Sequence, residues 1–133
     1  INEVLVFPVI RKVGEDSVLN KDKYLLQIIM IKAKQNKSSI KIKKIRMQET
    51  KNMNIPDTEL VFKEVGEFKE YKKNYLKSIN NIDDAFEKME FNVNEKSKMT
   101  LLVTVSSEIN GQITEKEFVY KFVADKTTYL VQR

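Results

Sequence analysis

The chain has 133 residues, with 24 Lys+Arg against 19 Asp+Glu for a net charge of +5, and it contains no Cys, no His and no Trp. One domain, residues 1–133, is expected, since a single core serves roughly 100–200 residues. Without thiol or imidazole there is no disulfide, thiolate nucleophile, Ser-His-Asp triad or ordinary zinc or haem ligation; acid–base work falls to Asp, Glu, Lys or Tyr, and a metal would need oxygen ligands.

The charged fraction, 32%, exceeds the usual ~25%, which indicates a soluble chain with a charged surface. An apolar stretch such as Ile28–Ile31 falls far short of the roughly 20 residues of a transmembrane helix. The sequence begins at Ile1 rather than Met, so an upstream segment is expected to have been removed. A signal peptide, a lipoprotein leader, a membrane anchor or a cloning boundary would each fit.

The first element is a strand over 2–12, β-branched through Val4, Val6, Val9 and Ile10. Pro8 places it at a sheet edge, because proline cannot donate to a ladder. Residues 14–22 are polar and turn-like. Residues 24–34 open on a continuous apolar run (Leu25, Leu26, Ile28, Ile29, Met30, Ile31) and end alternating, as expected of a strand buried on both faces at its start. After a polar loop at 35–38, Ile40 and Ile42 alternate with Lys41 and Lys43, and the apolar phase then jumps to Ile45 and Met47. A bulge near Lys43-Lys44 is predicted, since a one-residue slip otherwise sends every later side chain to the other face. Taken as a hairpin, the two strands set Ala33 against Ile40, Ile31 against Ile42, Ile29 against Ile45 and Lys32 against Lys41.

Phe68, Tyr71, Tyr75, Ile79 and Ile82 follow helical spacing, preceded by Gly66 and followed by Asn80-Asn81, so the pattern predicts an amphipathic helix over 67–82. The other reading of this stretch is an irregular crossover between sheets. A second short turn over 83–89 has an Asp cap. Met99, Leu101, Val103 and Val105 then alternate with polar residues up to Asn110-Gly111, the preferred type I′ hairpin turn. Closing that hairpin sets Val103 against Phe118, Leu101 against Tyr120 and Met99 against Phe122, all on one face. A tight turn at Asp125-Lys126 leads to a last strand over 127–132.

Charge is concentrated. From Lys32 to Lys51 eight basic residues stand against Glu49 alone, a net +7, while the rest of the chain sums to −2. Lys32, Lys34, Lys41, Lys43, Lys44 and Arg46 are the candidate binding residues, a basic face suited to an anionic lipid headgroup, a cell-wall polyanion or an acidic protein. The same pattern serves a solvated sheet face guarded against aggregation. Nucleic acid fits less well, because no aromatic side chain interleaves with these lysines and only one Arg is present. Asp83, Asp84, Glu87 and Glu90 gather carboxylates but lack the spacing and the Gly of a calcium loop, and compensation of a helix N-terminus accounts for them without metal. Phe68, Tyr71 and Tyr75 read as a groove or, more simply, as core. Asn36-Lys37-Ser38 matches a glycosylation sequon, a pattern too common to carry weight. No Gly-rich phosphate loop, GxSxG, HExxH or dinucleotide fingerprint is present.

Strands without βαβ alternation imply a mainly β, antiparallel, immunoglobulin-like sandwich with a short helical insertion; a curved antiparallel sheet packed on one helix, or a small barrel, is the alternative. The segment Tyr24–Met47, an apolar strand, a polar turn and an alternating strand, resembles the first large hairpin of immunoglobulin-like domains in secreted Gram-positive proteins, although the Cys pair and core Trp of antibody domains are missing. The expected function is a non-catalytic interaction module, without cofactor or metal. It is read as the extracytoplasmic part of a secreted or anchored bacterial protein that contacts a protein or an anionic surface. A small intracellular domain binding nucleic acid or a small ligand between helix and sheet is the second reading.

Overall fold

A computed structural model describes residues 4–16, 21–51, 58–61, 65–82, 96–124 and 130–132. Nine strands appear among them: β1 (Leu5–Asp16), β2 (Lys21–Ala33), β3 (Ser39–Lys51), β4 (Thr58–Val61), β5 (Lys69–Lys72), β6 (Tyr75–Ile82), β7 (Lys98–Ile109), β8 (Gln112–Ala124) and β9 (Leu130–Gln132). They form two antiparallel sheets, a four-stranded one in the order β1-β2-β6-β5 and a five-stranded one in the order β4-β3-β7-β8-β9.

Alternation explains which side chains meet between the sheets. Val6 and Ile10 of β1 and Leu26, Ile28 and Met30 of β2 share one core with Ile42, Ile45 and Met47 of β3, Leu101 and Val103 of β7, and Tyr120 and Phe122 of β8. The bulge in β3 falls between Ile42 and Lys44 against β7, so Ile42 and Ile45 both face inward although three residues apart. The β7–β8 hairpin has the register that its alternation and turn require, with Met99 opposite Phe122, Leu101 opposite Tyr120 and Val103 opposite Phe118. Asn110 and Gly111 both adopt positive φ, 52° and 77°, as a type I′ turn demands.

Pro8 sits in β1 at the sheet edge, paired only with β2. A proline is tolerated there when its nitrogen points away from the neighbouring strand, which turns the backbone groups of Val6 and Pro8 toward the open side. The Val6 carbonyl is accordingly available to the five-stranded sheet and accepts a 2.8 Å hydrogen bond from the Tyr120 hydroxyl.

Three sequence expectations are corrected. Residues 14–22 are not simply a turn, since β1 runs to Asp16, β2 starts at Lys21, and Gly14, Glu15 and Asp16 pair with Lys23, Asp22 and Lys21. β2 and β3 are consecutive but do not form a hairpin. The chain crosses between sheets at 34–38, so β2 pairs with β1 and β6 while β3 pairs with β4 and β7. Asn36 shapes that crossing: its backbone N–H donates to the Ala33 carbonyl and its side-chain oxygen accepts from the N–H and hydroxyl of Ser38. Both side chains are buried and committed to the turn, an Asx-type arrangement.

The third correction concerns the helical insertion, and with it the sheet-on-helix alternative. Residues 69–82 form the β5–β6 pair instead. Period 2 was hidden because Ser78 and Asn80 occupy the inward rows of β6 where apolar residues are usual. Each is paired: Ser78 Oγ donates to the Gly66 carbonyl at 2.8 Å, while Asn80 donates to the Ile28 carbonyl at 3.1 Å and accepts from the Gly66 N–H. A side chain at Gly66 would meet the Ile79 carbonyl at 3.2 Å, so the close approach that completes these bonds favours glycine. The expected turns at 83–89 and 125–126 lie outside the described residues.

Candidate functional site

The six basic candidates do not share a face. Lys32 and Lys34 continue the inward rows of β2, whereas Lys41, Lys43, Lys44 and Arg46 point outward from β3 on the other sheet. Lys32 lies opposite Leu76 and Lys41 opposite Ser106, so the like-charge pair expected from a β2–β3 hairpin does not exist. Lys32 caps the end of the core: its ammonium donates to the Ser38 carbonyl at 3.0 Å and lies 4.6 Å from the centre of the Phe68 ring. Burial, and secondarily the charge of Lys37, lowers its pKa from the usual lysine value. Lys34 pairs with Glu70 at 3.1 Å, Lys43 with Glu115 at 2.7 Å and Arg46 with Glu59 at 3.9 Å. Among the described residues no carboxylate lies within ion-pair distance of Lys41 or Lys44.

The outer face of the four-stranded sheet is of another kind. Cross-strand registers align Leu5 with Ile31 and Lys77, Phe7 with Ile29 and Ile79, and Val9 with Gln27 and Asn81. Leu5, Phe7 and Ile79 are 55%, 43% and 52% exposed, and Ile29 and Ile31 lie half-buried between them. Single exposed apolar side chains are ordinary, but five adjoining ones on three strands form a contiguous patch of the sort that marks an interaction surface. It has a polar border on two sides. Gln27 donates to Asn81 at 2.8 Å on one, and the Lys77 ammonium lies 4.8 Å from the Tyr71 ring centre on the other. The signal for this surface was in the sequence as the unbroken apolar run of β2. Burial on both faces is expected at the start of that strand and half exposure at its end, whereas one face alone, that of Leu26, Ile28 and Met30, is fully buried along its length.

A groove of about 370 Å³ opens between β1 and the inner side of the β7–β8 hairpin. Sequence reasoning missed it, since its walls come from strands a hundred residues apart. Val4, Leu5, Val6, Phe7, Val105 and Phe118 supply apolar walls, and Ser107, Thr114 and Lys116 supply the polar end. The Phe118 ring stacks on Tyr120 with a 6.4 Å centroid separation.

Among the described residues no cluster of three or more carboxylates is placed to hold a metal ion, and the acidic residues Asp83, Asp84, Glu87 and Glu90 lie outside them. No described helix is long and apolar enough to cross a membrane. No protein-family model, curated protein or solved structure matches the chain.

Proposed function

We propose that this chain is a non-catalytic interaction module with an immunoglobulin-like sandwich fold, the extracytoplasmic domain of a secreted or membrane-anchored bacterial protein, and that it contacts a protein partner through the outer face of its four-stranded sheet. The strand orders support the fold: β1-β2-β6-β5 against β4-β3-β7-β8 corresponds to A-B-E-D against C′-C-F-G, with β9 added at the far edge. That architecture is widespread among cell-surface domains, which favours the extracytoplasmic placement.

The observation that carries the function is the patch of Leu5, Phe7, Ile29, Ile31 and Ile79. Its exposed apolar area has no cover among the described residues, and Lys77 at its border suits a partner with an acidic rim. Among the described residues the groove, by contrast, holds one ionisable side chain, Lys116, without the convergent acid and base groups that catalysis uses.

A photo-crosslinking residue placed at Ile79 in the full-length protein, in its own cells, tests this directly. It is expected to give discrete protein adducts that the same residue at Glu115, on the opposite sheet, does not give, and Phe7→Asp is expected to abolish them. Equal labelling from both positions, or none at Ile79, would overturn the reading. Protection of the domain from protease added to intact cells would overturn its extracytoplasmic placement.

A second reading rests on Lys41 and Lys44, which have no acidic partner among the described residues and adjoin Lys43. In it the outer side of β3 meets an anionic lipid headgroup or cell-wall polymer. Binding to vesicles containing phosphatidylglycerol, lost when Lys41, Lys43 and Lys44 become Glu, is the expected result of that mode; unchanged binding excludes it.

A further inference from the structure

The groove beside β1 is chemically graded. Along the β7–β8 hairpin Phe118 stands opposite Val103, Lys116 opposite Val105 and Thr114 opposite Ser107, so its lining passes from aromatic and aliphatic to polar toward the Asn110-Gly111 turn. The inner end is closed where the Tyr120 hydroxyl bonds the Val6 carbonyl. At the outer end stand three donors. The Ser107 hydroxyl is buried and has no hydrogen-bond partner among the described residues, a state that costs free energy unless something fills it. Lys116 has no ion pair among the described residues, its ammonium lying 5.0 Å from the centre of the Phe118 ring. Among the described residues no carboxylate lines the groove.

We propose that this groove binds a medium-chain carboxylate, with the aliphatic chain along Val6 and Phe118 and the carboxylate received by Lys116, Ser107 and Thr114. The size agrees: 370 Å³ lies at the lower end of the ~300–1,000 Å³ range of small-molecule sites. At about 30 Å³ per water-sized group it takes roughly a dozen non-hydrogen atoms, the number in decanoate. The electrostatics agree too, since the charge that the described residues bring to the lining is positive and a carboxylate accepts from every donor offered. The groove adjoins the outer-face patch and shares Leu5 and Phe7 with it, while its polar end, Ser107, Thr114 and Lys116, lies apart from the patch.

Titration of the full chain with decanoate, followed by amide chemical shifts and calorimetry, tests the proposal. Saturable binding is expected, with shifts centred on Val105, Ser107, Thr114 and Lys116. Decanol, which keeps the chain and loses the charge, is expected to bind about tenfold more weakly, the loss of one charge-assisted contact. Lys116→Glu is expected to weaken decanoate by at least about tenfold while Lys116→Arg retains it; the side chain is exposed, so both variants fold. Ser107→Ala is expected to weaken binding by a few fold. Equal affinity for decanol, indifference to Lys116→Glu, shifts confined to Ile29, Ile31 and Ile79, or no binding at millimolar decanoate would each overturn the assignment.

Discussion

The two sheets turn similar faces inward and opposite faces outward. Outside the five-stranded sheet Lys43 meets Glu115, Arg46 meets Glu59, and Thr104 and Ser106 stand between the long charged side chains of β3 and β8. Outside the four-stranded sheet Leu5, Phe7, Ile29, Ile31 and Ile79 adjoin, with polar groups only at the border. The first surface is mostly charged and polar. Its charges are hydrated, with Lys41 and Lys44 unpaired among the described residues, its exposed apolar side chains Ile113 and Val119 are separated by Glu115 and Glu117, and ion pairs this exposed contribute only ~0–1 kcal/mol each. The second leaves apolar area wet, a free-energy cost of about 25 cal/mol per Å² that a partner would recover. The lesson is that the charge concentration, conspicuous in the sequence, marks the self-sufficient face, and an uninterrupted aliphatic run marks the unfinished one.

Neighbouring rows of the four-stranded sheet offer the sharpest test of that contrast. Ile28→Ala, in the core, is expected to cost about 3 kcal/mol in urea unfolding, whereas Ile79→Ala is expected to stay within about 0.5 kcal/mol. Similar losses from both would mean that the outer row is covered within the chain.

A smaller effect is expected at the bond that joins the sheets. Tyr120→Phe removes the hydroxyl donated to Val6 and is expected to cost about 1 kcal/mol. Burial raises the Tyr120 pKa to about 12 from an unfolded value of 10.0. The folded state therefore favours the protonated phenol, so this contribution is intact below pH 10.0 and is lost as pH rises through about 12. Melting curves from neutral to strongly alkaline pH are expected to show a steeper alkaline decline for the wild type than for Tyr120→Phe.

On the charged face, a double-mutant cycle on Lys43 and Glu115 is expected to give a coupling below about 1 kcal/mol that shrinks with added salt. A coupling of several kcal/mol would show that this surface is not simply hydrated. A small change is also expected at Lys32. Loss of its bond to the Ser38 carbonyl in Lys32→Met is offset by removal of a charge that burial disfavours, leaving a net change within about 1 kcal/mol. Because the folded pKa is lowered, the wild type binds its proton less tightly when folded. Its stability relative to Lys32→Met should therefore rise as pH increases through the lowered pKa toward 10.5.

Local signals were legible where two of them had to agree. The β7–β8 hairpin was readable because a turn demanding two positive φ angles and an alternation of six apolar residues imply one register. The β3 bulge was readable from the phase jump between Ile42 and Ile45. What failed was anything decided by distant backbone. Ser78 and Asn80 can face inward only because Gly66 and Ile28 offer them partners, and without those partners in view β6 passes for a helix. The β2–β3 crossing failed for a related reason: a polar four-residue connection suits a hairpin as well as a change of sheet, and only the competing pairs β1–β2 and β3–β7 decide between them. The basic candidates inherited that error, so Lys32 and Lys41 were assigned to one surface and lie on different sheets. The groove was invisible because its apolar wall and its donors meet only when Val4–Phe7 comes beside the β7–β8 hairpin.

The bulge in β3 also sets how the gene can change in length. Lys43 is the extra residue between Ile42, opposite Val105, and Lys44, opposite Thr104. An in-frame deletion of its codon would remove the bulge and leave every other pair in place, at the cost of the exposed contact with Glu115. Deleting Lys41 instead would make Ile40 and Ile42 adjacent and push one of them out of the core. A scan of single-codon deletions along β3 should therefore find tolerance at positions 43 and 44, whose deletion gives the same chain, and again at the second register shift between Gln48 and Lys51, with an intolerant stretch between them.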